Sequence, residues 1–181
     1  MTDNQLLTLL VAGFSAELAT RVPYPVLVKQ KFQSRQQGAK VDPVLYLFKV
    51  GDKRVGFLQR KDTLNKTTDP WTFDHLESQW YETTFQAMAL VPQDPAQPNS
   101  LTTSDILNVG ADIIQSDAML ARLRAQNVGV LRVSEIRNPY FVDDAERNEA
   151  EPSFDFVLTH KRETINGVPV VETVEFNFAR V

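Results

Sequence analysis

Apolar positions recur at helical spacing at the start of the chain, where Leu6, Leu7, Leu10, Phe14 and Leu18 form one stripe and Asp3, Gln5 and Glu17 supply polar positions. Thr2 and Gln5 have the spacing of a capping box, so a docking helix is expected from about Asp3 to Thr20. Pro23 and Pro25 cannot continue it and favour an extended entry into a strand over about Val26 to Phe32. After the polar piece QSRQQGAKVD the period becomes two. Val44, Tyr46, Phe48 and Val50 alternate with Leu45, Leu47 and Lys49 ahead of Gly51-Asp52, which predicts a β-hairpin turning at that dipeptide.

Residues 62–80 hold no sustained period and place a proline beside a tryptophan, so an irregular loop is expected there. From Tyr81 to Val91 strand character returns, with Phe85, Ala87, Ala89 and Val91 on one face and Thr84, Gln86 and Met88 on the other. The small alanines leave room for a helix. Past the link PQDPAQPNS, Thr102 and Thr103 with Asp105 announce a helix whose stripe is Ile106, Val109, Gly110, Ile113 and Ile114. Ser116-Asp117 restarts a shorter helix through Met119, Leu120 and Leu123, ending near Asn127, which tolerates left-handed geometry.

Three strands are then expected, VGVLRVSEIR, SFDFVLTHKRETI and VPVVETVEFNF, the last two joined by Asn166-Gly167 as a type I′ turn. Phe154, Phe156 and Leu158 would share a core face with Val174, Phe176 and Phe178 of the closing strand. The fold class read from this order is α+β. It is a mainly antiparallel sheet of about five to seven strands, flanked by an N-terminal helix and a central helix pair, in one domain over residues 1–181.

Composition narrows the chemistry. Nineteen Lys and Arg against 23 Asp and Glu give a net charge of −4, so the chain as a whole lacks the positive field of a dedicated nucleic-acid binder. With no cysteine there is no disulfide, thiolate metal site or cysteine nucleophile, which suits a reducing compartment. The apolar run LLTLLVAGF is too short to span a bilayer and follows an aspartate where a secretory signal carries positive charge, so a cytosolic chain with no membrane contact is expected.

The strongest candidate for a site is RNPYFVDDAERNEAEPSFDFVLTH, where Asp143, Asp144, Glu146, Glu149 and Glu151 crowd together. A calcium loop needs alternating oxygen ligands and a glycine at its sharp turn, and DDAERNEAE has neither. A solvated or interface loop is the expectation, with Arg147 as a local counter-charge. His75 and His160 stand apart, without the local spacing of a metal pair, and His160 is placed at the margin of the sheet. Asp155 with Lys161, and Glu135 with Arg137, fail the spacing of a Mg²⁺-dependent nuclease, and no glycine-rich phosphate loop or Gly-x-Ser-x-Gly elbow is present. No catalytic residue, metal ligand or cofactor is therefore assigned. Arg122, Arg124, Arg132 and Arg137 concentrate positive charge, and the acidic segment next door offers them partners within or between subunits.

The run YETTFQAMAL, the proline-rich link, the helix pair, then EIRNPYFVDDAERNEAEPSFDFVLTH and the closing segment resemble the neck or tail terminator proteins of tailed bacteriophages. Glu82–Gln86 and Arg137–Asp144 carry the likeness most closely, and it extends over about residues 75 to 178. It implies a structural virion protein without catalytic residues, assembled as a ring, typically a hexamer, that caps the tail tube and joins it to the head connector with DNA passing through. Implied partners are other copies of the chain, tail-tube and sheath proteins, and a head connector or adaptor. The location implied is the head–tail junction of the virion, with assembly in the host cytoplasm. In such a ring Asp143, Asp144, Glu146 and Glu149, with Arg122, Arg124, Arg132 and Arg137, would face a neighbour or the lumen. Trp71, Phe73 and Trp80 would form a partner-facing loop. The alternative from another class is a small metal-dependent hydrolase or nuclease using residues 143–151.

Overall fold

The computed structural model describes residues 1–30, 42–67, 71–91, 100–138, 140–142, 148–150 and 152–170. Helix α1 spans Asp3–Arg21 and starts in the expected capping box, in which Thr2 and Gln5 each satisfy the other's backbone N–H. Helix α2, Thr103–Gln115, uses the same device with Thr102 and Asp105. Helix α3, Asp117–Arg124, is capped by the Ser116 side chain, and Asn127 beyond it takes φ 56° while the Val128 N–H closes the turn on the Leu123 carbonyl at 3.0 Å. Each helix therefore begins where a side chain caps its first turn, and α3 ends in a left-handed residue.

Five strands form the main sheet in the order β1-β2-β3-β7-β4: β1 Leu27–Gln30, β2 Val44–Asn65, β3 Thr72–Leu90, β4 Gly129–Val133 and β7 Ser153–Pro169. The β1–β2 pair is parallel and the other pairs are antiparallel. Short strands β5, Tyr140–Val142, and β6, Asn148–Ala150, make a separate antiparallel ribbon. The helices cover one face of the sheet. There Phe14, Phe85, Phe154 and Phe156 are fully buried with Leu6, Leu10, Leu45, Leu47, Ile106 and Ile113. Phe85 and Phe156 are direct cross-strand neighbours, stacked with centroids 5.7 Å apart, and Phe14 meets Phe156 at 6.2 Å. Gly110 lets α2 settle on this cluster, since a Cβ there would lie 3.4 Å from the Phe154 ring.

Three expectations fail in the same direction. Gly51-Asp52 is no turn, because β2 continues for 22 residues and absorbs the dipeptide in a register irregularity between Lys49 and Gly51. Residues 62–80 are no irregular loop, because β2 runs to Asn65 and β3 begins at Thr72, so most of the segment is hydrogen-bonded strand. Asn166-Gly167 is no hairpin turn, because both residues lie inside β7 opposite His75 and Asp74. A two-residue turn preference is local, whereas the β3–β7 ladder is unbroken from Met88↔Ser153 to Thr72↔Pro169 and would lose its last rungs to a turn there. Val174, Phe176 and Phe178 lie outside the described residues.

This correction is testable at Gly167, where an added Cβ meets nothing within 4 Å and the backbone needs no positive φ. Gly167→Val should leave stability unchanged or raise it by up to about 1 kcal/mol in urea melts, because valine suits an extended strand and glycine does not. A loss of more than about 1 kcal/mol would restore the turn.

Candidate assembly interface

Beyond the helical layer the sheet continues as a three-stranded arm. Gln59–Asn65 of β2, Thr72–Ser78 of β3 and Glu163–Pro169 of β7 pair rung for rung, giving strands of seven residues, roughly 24 Å long at the usual rise. A bulge marks its root. Between Val55↔Trp80 and Gln59↔Ser78, residues Gly56, Phe57 and Leu58 stand opposite Gln79 alone, with Gly56 at φ 70°. The Gln79 side-chain amide fills the interrupted ladder by donating to the carbonyls of Val55 at 2.8 Å and Trp80 at 3.1 Å. The bulge turns Phe57 outward to 96 % exposure.

Side-chain alternation sorts the arm into two faces. On the face that continues the helical side, Leu64, Phe73 and Val168 form a half-exposed apolar row at the tip. Next come Asp62, His75 and Asn166, then Arg60, Glu77 and Thr164. His75 Nδ1 lies 2.5 Å from Asp62, and Arg60 Nε donates to Glu77 at 3.1 Å. The bond to Asp62 raises the His75 pKa, so this link is complete at low pH and weakens as pH rises through that raised value. On the opposite face Trp80 lies between Val55 and Lys161, with Leu76 and Ile165 further out. The three expected partner-facing aromatics are thus divided: Phe73 and Trp80 occupy opposite faces, while Trp71 sits at the tip under the Lys66 ammonium, 5.2 Å from its ring centroid.

A charged cluster fixes the arm to the body. Asp3 in the first turn of α1 pairs with Lys49 at 2.7 Å and with Arg162, and Asp52 binds Lys49 and accepts the Thr83 hydroxyl at 2.6 Å. Burial pushes the Asp52 carboxyl up, but the bonds from Lys49 and Thr83 outweigh it and hold the pKa below the ordinary value. Since the Thr83 proton goes to Asp52, His160 Nε2, 2.9 Å from Thr83 Oγ1, must be the donor, which leaves Nδ1 buried with no partner among the described residues. Tyr81 stacks on the His160 ring and also meets the Arg162 guanidinium, 4.8 Å from the Tyr81 centroid. His160 is therefore an interior residue of this cluster, not one at the sheet margin. Sequence reasoning missed the cluster because its members are spread from Asp3 to Arg162 and are brought together by the β2–β3 and β3–β7 registers and the seating of α1.

The basic residues are less gathered than expected. Arg122 and Arg124 project from the last turn of α3, where the helix dipole favours them, and Arg132 is exposed on β4. No described carboxylate pairs with these three, whereas Arg137 pairs with Asp155, which also accepts from Gln86 Nε2 at 2.8 Å. Asp143, Asp144, Glu146 and Glu151 lie outside the described residues, and Glu149 is placed only by its backbone on β6. Among the described residues no three His, Asp or Glu side chains converge as a metal site, and no helix is long and apolar enough to cross a membrane.

The sequence model of one protein family, described as E217 gateway protein gp29, matches residues 5–170. The chain belongs to that family. The gateway family is one of phage head–tail proteins, and at this level the likeness to phage neck proteins drawn from the sequence agrees with it. The match spans α1, the sheet, the helix pair and the arm of this gateway-family chain. No curated protein matches the chain.

The unpartnered Nδ1 of His160 predicts an acid-sensitive junction. Burial first, then Arg162 and the N-terminal ammonium, lowers the His160 pKa, so the folded state resists a proton that the unfolded chain accepts near pH 6.5. The His160 contribution to stability should fall as pH drops from 7 towards 5, by at most about 1.4 kcal/mol per pH unit from this one proton, while His75, with its raised pKa, contributes in the opposite sense in both proteins compared. Urea titrations of the native chain and of His160→Gln should show that slope shrinking in the variant; an equal slope in both would refute the assignment.

Proposed function

We propose that the protein is a structural virion component of the tail-terminator kind. It closes into a ring, of six copies, at the head–tail junction, caps the tail tube and joins it to the head connector while DNA passes through the lumen. The observation that carries this reading is membership in a phage head–tail gateway family over residues 5–170. The arm supports it, because a sheet that outruns its helical cover and exposes Phe57 and Trp80 at its root and Ile165 along its length is shaped for contact with other chains. Partners are further copies of the chain, tail-tube and sheath proteins and the connector or adaptor, in the virion and, during assembly, in the host cytoplasm.

In this reading Arg122, Arg124 and Arg132, which lack a described partner, meet the acidic segment of a neighbouring copy, and Asp143, Asp144, Glu146 and Glu149 face that neighbour or the lumen. Like charge on a lumen wall would keep DNA from adhering.

Native mass spectrometry of the purified chain at micromolar concentration should give a ring mass of six copies without added metal; a monomer at every concentration would remove the ring. Replacing Asp143, Asp144, Glu146 and Glu149 together with serine should weaken the ring and flatten its salt dependence, and an unchanged salt profile would detach these carboxylates from assembly. Phe57→Ser should change monomer stability by less than about 0.5 kcal/mol, as for an exposed residue. It should raise the dissociation constant of the ring at least about tenfold, or about 1.4 kcal/mol, if Phe57 anchors a contact.

A further inference from the structure

The arm has two long edges. Among the described residues, no strand pairs with the outer side of β2 over Gln59–Leu64 or with the outer side of β7 over Glu163–Val168, because β1 reaches β2 only at Val44–Leu47 and β4 reaches β7 only at Phe156–Thr159. Such edges present rows of backbone donors and acceptors to whatever strand arrives. Neither stretch contains proline, and Arg60, Asp62 and Glu163 are drawn along the sheet to Glu77, His75 and Lys161, which leaves Lys61 as the one edge charge without an ion pair among the described residues.

We propose that the sheet of the arm continues into a second copy of the chain, the β7 edge of one copy pairing in parallel with the β2 edge of the next. This rests on the ring reading and names the interface that builds the ring.

Direction is the first argument. Strands β2 and β7 are both antiparallel to β3 and so run parallel to each other. Copies related by rotation about a ring axis keep that sense, which makes the β7-to-β2 joint parallel, heterologous and repeatable. Like edges, β2 on β2 or β7 on β7, would meet antiparallel about a two-fold axis and stop at two copies.

Row matching is the second argument. The parallel joint sets Leu64 of the next copy beside Val168, and Asp62 beside Asn166, so the apolar tip row Leu64, Phe73, Val168 runs on unbroken through every copy. On the other face the aliphatic stem of Lys61 falls beside Ile165, which is 66 % exposed in the single chain. Antiparallel pairing of like edges would reverse one tip and set Val168 against Thr164, or Leu64 against Arg60.

Cysteine pairing tests it, since the chain has no cysteine of its own. Within one copy Leu64 and Val168 flank Phe73, two strand spacings or about 10 Å apart, beyond the reach of a disulfide, which needs Cα atoms within about 7 Å. The double variants Leu64→Cys with Val168→Cys, Asp62→Cys with Val168→Cys and Leu64→Cys with Asn166→Cys cover the matched register and its neighbours. Under mild air oxidation of the full chain, at least one should give a ladder of covalent multiples that collapses on reduction. The corresponding single variants should stay monomeric on the same gel. Ring mass measured natively on each sample separates the two readings. A ring in which no double variant cross-links would overturn the edge joint and leave the ring standing; covalent dimers from a single variant would overturn it in favour of like-edge pairing. Monomer without cross-links would remove both.

Discussion

Strand β3 is hydrogen-bonded on both sides for nearly its whole length, and the rest of the molecule follows from that. One half, around Phe85 and Ala87, lies beneath the helices and carries the aromatic cluster; the other, Thr72–Ser78, has no helical cover. A three-stranded sheet exposed on both faces gains little from burial and would be marginal alone. It persists as an extension of strands whose inner halves are locked in the core, so Phe85 and Phe156 stabilise the arm without touching it. The cost is apolar surface left in water at Phe57, Trp80 and Ile165.

The junction between the two halves is where polar chemistry concentrates. Asp3, Lys49, Asp52 and Arg162 tie the start of α1 to β2 and β7, while the Met1 ammonium donates to the Lys161 carbonyl at 3.0 Å. Gln79 bridges the bulge just beyond. These contacts neutralise charge within the chain where the arm meets the body. A buried histidine is tolerated here because Thr83 fixes its tautomer and the site stays neutral at ordinary pH.

The helices were legible in the sequence because their signals are local: Thr2 with Gln5, Thr102 with Asp105, Ser116, and Asn127 in left-handed geometry all sit where expected. The core faces of β3 and β7 were legible because burial on one side imposes a period of two, as at Phe154, Phe156 and Leu158. The arm was not. With neither face buried, Gln59–Asn65 and Glu163–Pro169 are under no pressure to alternate, so their strand character comes from pairing alone, and pairing is not written in any one segment. The same absence of burial made Asn166-Gly167 read as a turn, whereas at Gly51-Asp52 the local turn preference was overridden by the β2–β3 pairing. The stretch expected to be a partner-facing loop is mostly strand instead, with Trp71 exposed at its tip and Phe73 and Trp80 exposed on opposite faces.

Two surfaces of different chemistry result. On the arm, Arg60, Glu77, Asp62 and His75 already satisfy one another, so any contact made there would draw on backbone pairing and apolar rows and respond weakly to salt. Arg122, Arg124 and Arg132 lie elsewhere, beside α3 and β4, without a described partner, and any contact they make with carboxylates is screened as ionic strength rises. A ring held by both would keep its subunit spacing through the arm while its electrostatic surface remained free to be tuned by salt. In such a ring the crowded carboxylates between Asp143 and Glu151 would act by where their charge is held, which requires no ligand geometry at all.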